Sequence, residues 1–362
     1  MKIAYVASLG NPYFTGVCKK IEAQIAVWCS FPGIVVEPFV RAVNGLETPW
    51  EKTYLLKGAP ALCHDSELLQ DIKAFRPDVV YLRHEICGPQ IISLLRAFPG
   101  KVVVEINADL DAELKLEARE SLRRFVAYSL NKLTKRYFEK RVAATVCVAS
   151  PLMSLFESLP AARKFLSPNA IDLRNHAVMK SVPDADTRKS LVFAGTPGQA
   201  WHGVDLLLPL ARALPCYDFH IFGPSPLPDA PGNMIFHGYQ PKEVLEQFYA
   251  QCHVGIGTLA AFRQGLAEAS TLKVREYIAA GLPVILGYRD SAFLQSSPPW
   301  VLELSSQERL FEQEWAVEAV RDFVERNARR VVTHADSAQY IDASILEGAK
   351  IEQFRRWFAQ EL

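Results

Sequence analysis

Residues 268–285 read EASTLKVREYIAAGLPVI, and this stretch predicts a loop, a short helix and a buried strand in succession. Thr271 to Ala280 has apolar residues on one side and no helix breaker. Ser270 or Thr271 is expected to cap the start of the helix with its side chain. Gly281 stands where a chain commonly leaves a helix in the left-handed conformation.

Strands are expected on both sides of this helix. Residues 252–257, Cys-His-Val-Gly-Ile-Gly, precede it, and residues 283–287 follow it. In an open α/β sheet, a helix that begins beyond the carboxyl end of a strand commonly binds anions. The stretch therefore predicts an anion-binding corner.

The residue types at this corner suit a nucleoside diphosphate. The first-turn N–H groups near residues 271–273 lack helical partners and carry partial positive charge. Lys273 opposes the helix dipole there, at a cost of roughly 0.3–1 kcal/mol, unless an anion also binds. Glu276 follows after a rise of about 4.5 Å, and its carboxylate can accept both hydroxyls of a ribose. Glu268 is expected to accept hydroxyls of the group that the diphosphate carries.

The spacing of the two glutamates is weak by itself, because Glu105 and Glu113 repeat it elsewhere in the chain. The prediction of an anion-binding corner therefore depends on the surrounding strands and the capped helix.

Composition excludes several classes of protein. The 362 residues suffice for about two domains, and 49% apolar with 22% charged residues is typical of a soluble globular chain. Forty basic and forty acidic residues cancel, and no aromatic-and-basic stripe occurs, so we expect no nucleic-acid partner. The seven cysteines lack metal-ligand spacing, and no apolar run approaches 18 residues. We expect a cytoplasmic protein without a bound metal or cofactor.

Short apolar runs alternate with helical stretches along the whole chain, which predicts parallel sheets covered on both faces. The expected strands are residues 2–8, 34–40, 78–82, 101–106, 144–149, 191–194, 217–222, 234–237, 253–257, 283–286 and 300–302. Helices are expected at 13–29, 66–76 and 89–97, with one long helix near 112–141. The polar stretch 169–189 separates the halves. We therefore expect an α/β protein of two Rossmann-like, doubly wound domains that face each other across a cleft.

Two further turns are candidates for the ligand site. Gly10 and Gly16 lie in the turn after the first strand, which either admits a phosphate close to the backbone or is merely structural. A second strand runs into a glycine-rich loop at Gly195, and His202 near the next helix start is placed to donate to an anion. A lone histidine is more often structural, so both interpretations of His202 stay open.

Four segments, in this order and at these spacings, resemble the retaining GT-B glycosyltransferases of family 4. The segments are residues 167–172, 193–205, 233–239 and the pair Glu268 and Glu276 with the residues between them. The resemblance covers nearly the whole chain.

The resemblance implies two Rossmann-like domains, with the acceptor held by residues 1–168 and a nucleotide-diphospho-sugar held by residues 190–343. Residues 169–189 would be the linker, and residues 344–362 a final helix that crosses back to the first domain. By resemblance, Glu276 binds the two hydroxyls of the ribose, and Glu268 binds a hydroxyl of the donor sugar as a catalytic residue. Ser270, Thr271 and Leu272 hold the sugar and phosphate with their backbone beside Lys273, and Gly223 and Tyr239 lie near the nucleobase.

The chain departs from the family pattern at three positions. Thr196 and His202 stand where many members have an arginine and a lysine, which removes or weakens two cations that neutralise the diphosphate. Lys273, Arg263 and the helix start are expected to compensate. Asn107 stands where the family often has a histidine that contacts the sugar, and we assign it to the catalytic site.

These observations favour a retaining, metal-independent glycosyltransferase that extends a surface polysaccharide or a glycolipid. The alternatives are a sugar-nucleotide epimerase of the same architecture and a catalytically inactive GT-B scaffold.

Residues 115–141 predict a loose contact with an anionic membrane at the inner face of the plasma membrane. Nine basic residues oppose three glutamates there, and apolar residues recur at helical spacing. The alternative is a solvated helix packed on its own sheet. The apolar positions are Leu116, Leu122, Phe125, Val126, Leu130, Leu133, Tyr137 and Phe138.

Overall fold

The computed structural model describes residues 1–10, 15–56, 64–118, 122–182, 187–305 and 307–358. These residues form two compact units. Unit 1 comprises Met1–Ser167 with Leu346–Leu362, and unit 2 comprises Pro168–Ile345. Each unit contains a parallel sheet with helices on both faces, so the predicted α/β class with two doubly wound, Rossmann-like domains is confirmed.

Unit 1 is built on a seven-stranded parallel sheet of order β3-β2-β1-β4-β5-β6-β7. Its elements are β1 (Lys2–Leu9), α1 (Thr15–Cys29), β2 (Val35–Ala42), β3 (Tyr54–Leu55), α2 (Ser66–Phe75), β4 (Val79–Arg83), α3 (Pro89–Ala97), β5 (Val102–Ile106), α4 (Leu110–Glu117), α5 (Leu122–Glu139), β6 (Ala144–Cys147) and β7 (Lys164–Leu166). Side chains alternate across the sheet because successive strand residues point to opposite faces. Val80 and Leu82 pack with α2 and α3, whereas Val79 and Tyr81 pack with α1.

The last helix, α11 (Ala343–Phe358), supplies its residues from Leu346 onward to unit 1. Phe354 is fully buried in the core layer that also contains Trp28 of α1. Glu347 accepts hydrogen bonds from Trp28 Nε1 at 2.7 Å and from Lys350 Nζ at 2.9 Å. Because these polar groups are buried and paired, they fix how α11 seats on the unit 1 sheet.

Unit 2 is built on a six-stranded parallel sheet of order β10-β9-β8-β11-β13-β15, with a separate parallel pair of β12 and β14. Its elements are β8 (Lys189–Ala194), α6 (Leu207–Ala213), β9 (Tyr217–Phe222), β10 (Met234–Gly238), α7 (Lys242–Gln251), β11 (Val254–Ile256), β12 (Glu268–Ala269), α8 (Leu272–Ala279), β13 (Val284–Leu286), β14 (Arg289–Asp290), β15 (Val301–Glu303), α9 (Glu314–Asn327) and α10 (His334–Ile341). One core layer lies under α6 and α9, and the other lies under α7, α8 and α10.

The expectation of one long helix near residues 112–141 is wrong. The structure has two helices there, α4 and α5. Asp111 of α4 accepts hydrogen bonds from Asn131 Nδ2 and Lys135 Nζ of α5, both at 2.5 Å. Residues 24 apart on one straight helix would be separated by about 36 Å, so the chain must turn back between the two helices.

Residues 169–189, expected as a linker, belong to unit 2. Ile171 N donates to Ile341 O at 2.8 Å, and Met179 N donates to Ala280 O at 2.9 Å. Residues 183–186 lie outside the described residues. The described part of this stretch is therefore packed along the unit instead of running free.

Within the described residues, no helix is both long and apolar enough to cross a lipid bilayer.

Candidate functional site

The strand order places the predicted corner at the topological switch point of the unit 2 sheet. Strands β8 and β11 are neighbours, and the chain continues from them toward opposite edges of the sheet. The segment after β8 contains Gly195, and the segment after β11 leads to Glu268 and α8. Since the carboxyl ends of parallel strands share one edge, both segments emerge on the side where open α/β sheets bind ligands.

Two glycines allow the loops at this edge to lie against each other. A Cβ atom at Gly195 would lie 2.6 Å from Cε1 and Nδ1 of His202, so only a bare backbone admits the imidazole. Gly223, with φ of +95°, would place a Cβ atom 1.8 Å from the carbonyl oxygen of Gly195. The sequence identified both positions, and the structure shows that close packing requires glycine at each.

His202 ends a short 3₁₀ helix, Ala200–His202, and its side chain is buried. Its Nδ1 has no hydrogen-bond partner among the described residues. Burial, and then the neighbouring Lys273, lower the pKa of His202 to about 4, so the ring is neutral near pH 7. The imidazole therefore lies in the loop as an uncharged group without a partner at Nδ1.

Lys273, in the first turn of α8, is a basic group whose charge acts on this histidine. Its Nζ is buried, lies 4.4 Å from the centroid of the Phe193 ring, and has no hydrogen-bond partner among the described residues. Burial lowers the pKa of Lys273 to about 7, although Glu276 acts in the opposite direction. His202 also packs edge-on against Phe193, with ring centroids 5.4 Å apart.

The start of α8 differs from the expectation that Ser270 or Thr271 caps it. Thr271 is the N-cap residue, but its side chain makes no capping hydrogen bond and pairs instead with Tyr288 OH at 2.7 Å. Ser270 Oγ accepts from Asn169 N at 2.8 Å and from Arg275 Nη2 at 2.7 Å. Both hydroxyls are committed elsewhere, so neither side chain covers the first-turn N–H groups that suit an anion.

A buried ion pair holds this loop in place. Arg275 donates from Nη1 and Nη2 to the two carboxylate oxygens of Asp290, at 2.8 and 2.6 Å, and both side chains are 0% exposed. Its Nε donates to Asn169 O at 2.7 Å. Asn169 Nδ2 in turn donates to Ser270 O at 2.6 Å. One arginine therefore joins the Asn169 segment, the loop before α8 and strand β14.

The two glutamates of the motif have different surroundings. Glu268 lies in β12 opposite Arg289, and Ser291 Oγ donates to its Oε1 at 2.8 Å. Glu276 stays in contact with solvent at a cavity of about 170 Å³ whose lining includes His176, Lys242 and Tyr249. The surrounding protein displaces water from the carboxylate, and this desolvation raises the pKa of Glu276. The nearby Lys242 and His176 partly offset the rise. A recess with a carboxylate and a nearby lysine can accept a polyhydroxylated group.

The residues expected near the nucleobase lie at neighbouring strand ends. Gly223 N, directly after β9, donates to Gly238 O at 2.7 Å. Tyr239 follows Gly238, and its side chain is 84% exposed. Thr196, after Gly195, is also exposed. The structure thus brings Gly195, His202, Gly223 and Lys273 to one edge of the sheet, with Tyr239 next to them.

Arg263 does not supply a free cation, contrary to the expectation that it compensates for the departures at Thr196 and His202. Its Nη1 and Nη2 donate to the two carboxylate oxygens of Asp205, at 2.9 and 2.7 Å. Its Nε donates to Glu308 at 2.9 Å. Two carboxylates already neutralise this guanidinium.

The remaining predicted residues, Gly10, Gly16 and Asn107, belong to unit 1. Gly10 follows β1, Gly16 lies in α1, and residues 11–14 between them lie outside the described residues. Asn107 follows β5, and its Oδ1 accepts from Lys20 Nζ at 2.7 Å. Its Nδ2 is buried and has no partner in the described part of the chain.

Asn107 belongs to a charged cluster that the sequence reasoning missed. Lys20 Nζ lies 3.4 Å and Arg83 Nη1 3.5 Å from the carboxylate of Glu105, which is 2% exposed. Burial by itself would raise the pKa of Glu105, but Lys20 and Arg83 outweigh it and hold the value at about 2. A carboxylate inside the apolar run 102–106 was a usable signal, because a buried charge needs a partner.

In the described residues, no group of three or more His, Cys, Asp or Glu side chains is arranged to hold an ion. A larger cavity of about 620 Å³ also lies in unit 2, with Phe262, Tyr288 and Arg289 among its lining residues. None of the predicted site residues lines it. We place the candidate site at the switch point, where His202 Nδ1 and Lys273 Nζ are buried without a partner among the described residues.

No family model matches the chain. No curated protein matches it in sequence.

Solved structures match the fold over nearly the full length of the chain. Sucrose-phosphate synthase from Thermosynechococcus elongatus aligns with a TM-score of 0.69 at 14% identity, over 99% of this chain and 100% of that one. HepE from Anabaena in complex with UDP aligns with a TM-score of 0.62 at 13% identity, over 98% and 100%. The lipopolysaccharide outer core galactosyltransferase WaaB aligns with a TM-score of 0.56 at 14% identity, over the whole of both chains. The likeness confirms the predicted GT-B fold class.

The buried ion pair gives a direct test of how the loop is held. Arg275→Met leaves Asp290 buried without its partner, and we expect the free energy of unfolding to fall by about 3–5 kcal/mol. Arg289→Met, at an exposed neighbouring position, is the matched control and should change it by less than about 0.5 kcal/mol. Urea titration followed by circular dichroism measures both. Equal midpoints for the two variants would show that the pair does not hold the loop.

Proposed function

We propose that this protein is a retaining glycosyltransferase that moves a sugar from a nucleotide-diphospho-sugar to a glycan or a lipid-linked acceptor. The observation that carries the proposal is the start of α8. There, first-turn N–H groups without a side-chain cap lie beside the unpartnered Lys273 Nζ at the switch point of a Rossmann-like sheet. A diphosphate supplies the acceptor atoms and the charge that these groups lack.

The fold neighbours support this choice of ligand. Solved structures of HepE hold UDP and, in another case, UDP-glucose. In the present chain, Glu276 lies one turn past the helix start at an open recess, which suits the ribose of such a nucleotide. Gly195, Thr196, Gly223 and Tyr239 complete the edge where the nucleotide would lie.

The catalytic assignments are part of the same proposal. Glu268 would contact the transferred sugar, and its bond from Ser291 orients the carboxylate. Asn107 would contact the sugar in place of the histidine common in family 4, with its amide oriented by Lys20. Gly10, directly after β1, and Gly16, in the first turn of α1, would let the backbone at these two positions approach the ligand. We further propose a role in surface polysaccharide or glycolipid synthesis at the cytoplasmic side, without a metal.

The test is the release of nucleoside diphosphate. UDP, GDP and ADP sugars are first screened by thermal shift, since a ligand that binds only the folded state raises its stability. The sugar nucleotide that binds is then incubated with lipid-linked and soluble glycan acceptors. We expect acceptor-dependent release of nucleoside diphosphate that persists in EDTA. Loss of turnover in EDTA, restored by Mg²⁺ or Mn²⁺, would contradict a metal-independent reaction.

Other products of the same assay identify the alternatives. An epimerase would convert the sugar nucleotide without acceptor and release no diphosphate. An inactive scaffold would neither convert the sugar nucleotide nor transfer its sugar.

Glu276→Gln should weaken binding of the sugar nucleotide by about 1.5–3 kcal/mol, because a neutral amide replaces the charged acceptor of the ribose hydroxyls. Isothermal titration calorimetry measures this loss. Glu243→Gln, at an exposed position of α7 that does not line the recess, is the matched control and should bind normally. Unchanged affinity in the Glu276 variant would remove the ribose assignment.

We also propose that α5 attaches unit 1 to an anionic membrane surface. Four apolar side chains on this helix are exposed by 79, 54, 47 and 82%: Leu122, Phe125, Val126 and Leu133. Phe125 and Val126 lie three and four residues after Leu122, and Leu133 lies seven residues after Val126, so all four share one face of the helix. Phe138 is buried in the core, so the helix packs on unit 1 through a different face.

Basic residues line the exposed apolar face. Lys132, Arg136 and Lys140 are exposed. Lys132 also forms an ion pair with Asp111, as the less exposed Lys135 does. Arg119 and Glu120 lie outside the described residues, and the side chains of Leu116, Glu117 and Arg123 are not among those described. An apolar row bordered by cations suits an interfacial helix, with roughly 1 kcal/mol gained per basic residue near an anionic leaflet.

Vesicle sedimentation tests the membrane surface. Binding should require anionic lipid, weaken as salt is raised, and fall when Lys132, Arg136 and Lys140 are all changed to Ser. Leu122→Ser with Leu133→Ser should weaken it as well, because apolar burial is lost. Lys242→Ser on unit 2 is the control for removal of an exposed positive charge. Equal recovery on neutral and anionic vesicles would leave α5 a solvated helix.

A further inference from the structure

Lys273, in the first turn of α8, and His202, in the loop after β8, each have a buried nitrogen without an acidic group in contact. Lys273 Nζ has neither a hydrogen-bond partner nor a carboxylate within ion-pair distance among the described residues. His202 Nδ1 is likewise without a partner in that part of the chain. Since burying an unpaired ammonium ion is costly, the free protein favours the neutral form of both groups.

The surroundings of this pair contain few charges that reach it. On its own helix, Glu276 favours the charged form of Lys273. His202, in the loop after β8, is a second titratable group whose pKa responds to the charge of Lys273. From β8, Phe193 contributes only its ring face. Arg263, in the 3₁₀ helix Ala261–Gln264, is neutralised by Asp205 and Glu308.

We propose that the diphosphate of the sugar nucleotide is the missing counter-ion of Lys273, and that binding it draws a proton from solvent onto Nζ. The inference rests on the proposed function and adds a linkage that the function does not require. The proton comes from water or a buffer acid, whose bond to hydrogen breaks as a new N–H bond forms on Nζ, and the ligand keeps its charge. An opposite charge within about 4–6 Å favours the protonated amine, and the Phe193 ring face stabilises the cation further.

The linkage has a defined direction. Burial lowers the pKa of Lys273 to about 7 in the free protein, so the amine is mostly neutral at pH 8 and protonated at pH 6. Proton uptake on binding should therefore be close to one per site at about pH 8 and should fall toward zero near pH 6. Affinity for the diphosphate should decrease by roughly 50-fold between pH 7 and pH 9, because the fraction of free protein with a protonated Lys273 falls as the pH rises.

Calorimetry of UDP-glucose binding, without acceptor, measures the uptake. This probe is suitable because its diphosphate is a diester that does not titrate between pH 6 and pH 9. Titrations are carried out at pH 8 in buffers of different ionisation enthalpy. When the observed binding enthalpy is plotted against the ionisation enthalpy of the buffer, the slope gives the number of protons taken up. We expect a slope near one for the wild-type protein and near zero for Lys273→Arg, whose guanidinium stays charged at every pH used.

Lys180 offers a matched control. It is also a buried lysine of unit 2 with a pKa lowered to about 8, but its Nζ donates to His253 O at 2.8 Å, at the amino end of β11. Lys180→Met should therefore keep the proton uptake of the wild type. Lys273→Met should lose the stabilisation by UDP-glucose, whereas its melting temperature without ligand should rise by about 2–6 °C, because an unpartnered buried amine has been removed.

Three results would overturn the inference. Binding of UDP-glucose with a slope of zero at pH 8 would leave sugar-nucleotide binding intact and remove the linkage. Proton uptake that persists in Lys273→Arg and disappears in Lys180→Met would show that the proton binds to Lys180 and not to Lys273. Absence of binding by any of the UDP, GDP and ADP sugars in the wild type would remove both the linkage and the proposed function.

Discussion

The buried pair of Arg275 and Asp290 is the interaction on which the candidate site depends. Taking both charges out of water is costly, and their attraction compensates only when the remaining polar atoms are also satisfied. Here Arg275 donates to Asp290, Ser270 and Asn169, and the Asp290 carboxylate also accepts from the backbone N–H of Ala292. A segment more than 100 residues away in the chain is thereby fixed against the loop before α8. The pair determines geometry more than it adds stability.

The site combines engaged polar groups with a few that have no partner. Ser270 and Thr271 are engaged through their hydroxyl groups, which leaves the first turn of α8 without a side-chain cap. Lys273 and His202 lie beside this turn with unpartnered nitrogens. Because buried polar groups are nearly always paired in folded proteins, these two nitrogens are candidates for contact with a ligand.

Unit 1 has a comparable arrangement at the carboxyl end of its sheet. Glu105 is held by Lys20 and Arg83, and Lys20 also bonds the Asn107 side chain, whose own Nδ2 stays buried and unpartnered. In each unit, a buried ionic cluster lies near a side-chain nitrogen that has no hydrogen-bond partner among the described residues. The sheets position these groups because parallel strands end together at one edge.

Apolar periodicity and turn residues act locally, so the α/β class, both parallel sheets and the region of the corner at residues 268–285 could be predicted from the sequence. The sequence also identified Gly195, Gly223 and Gly281 as special positions, and the close packing of the first two and the positive φ of the last agree. Other features depend on the tertiary fold. It contains two helices in place of the single one expected at 112–141, with Asp111 bonded to the second, and it packs part of the expected linker within unit 2. It also neutralises Arg263 and pairs Arg275 with Asp290. These outcomes depend on groups that are distant in the chain and meet only after folding, so no spacing in the sequence records them.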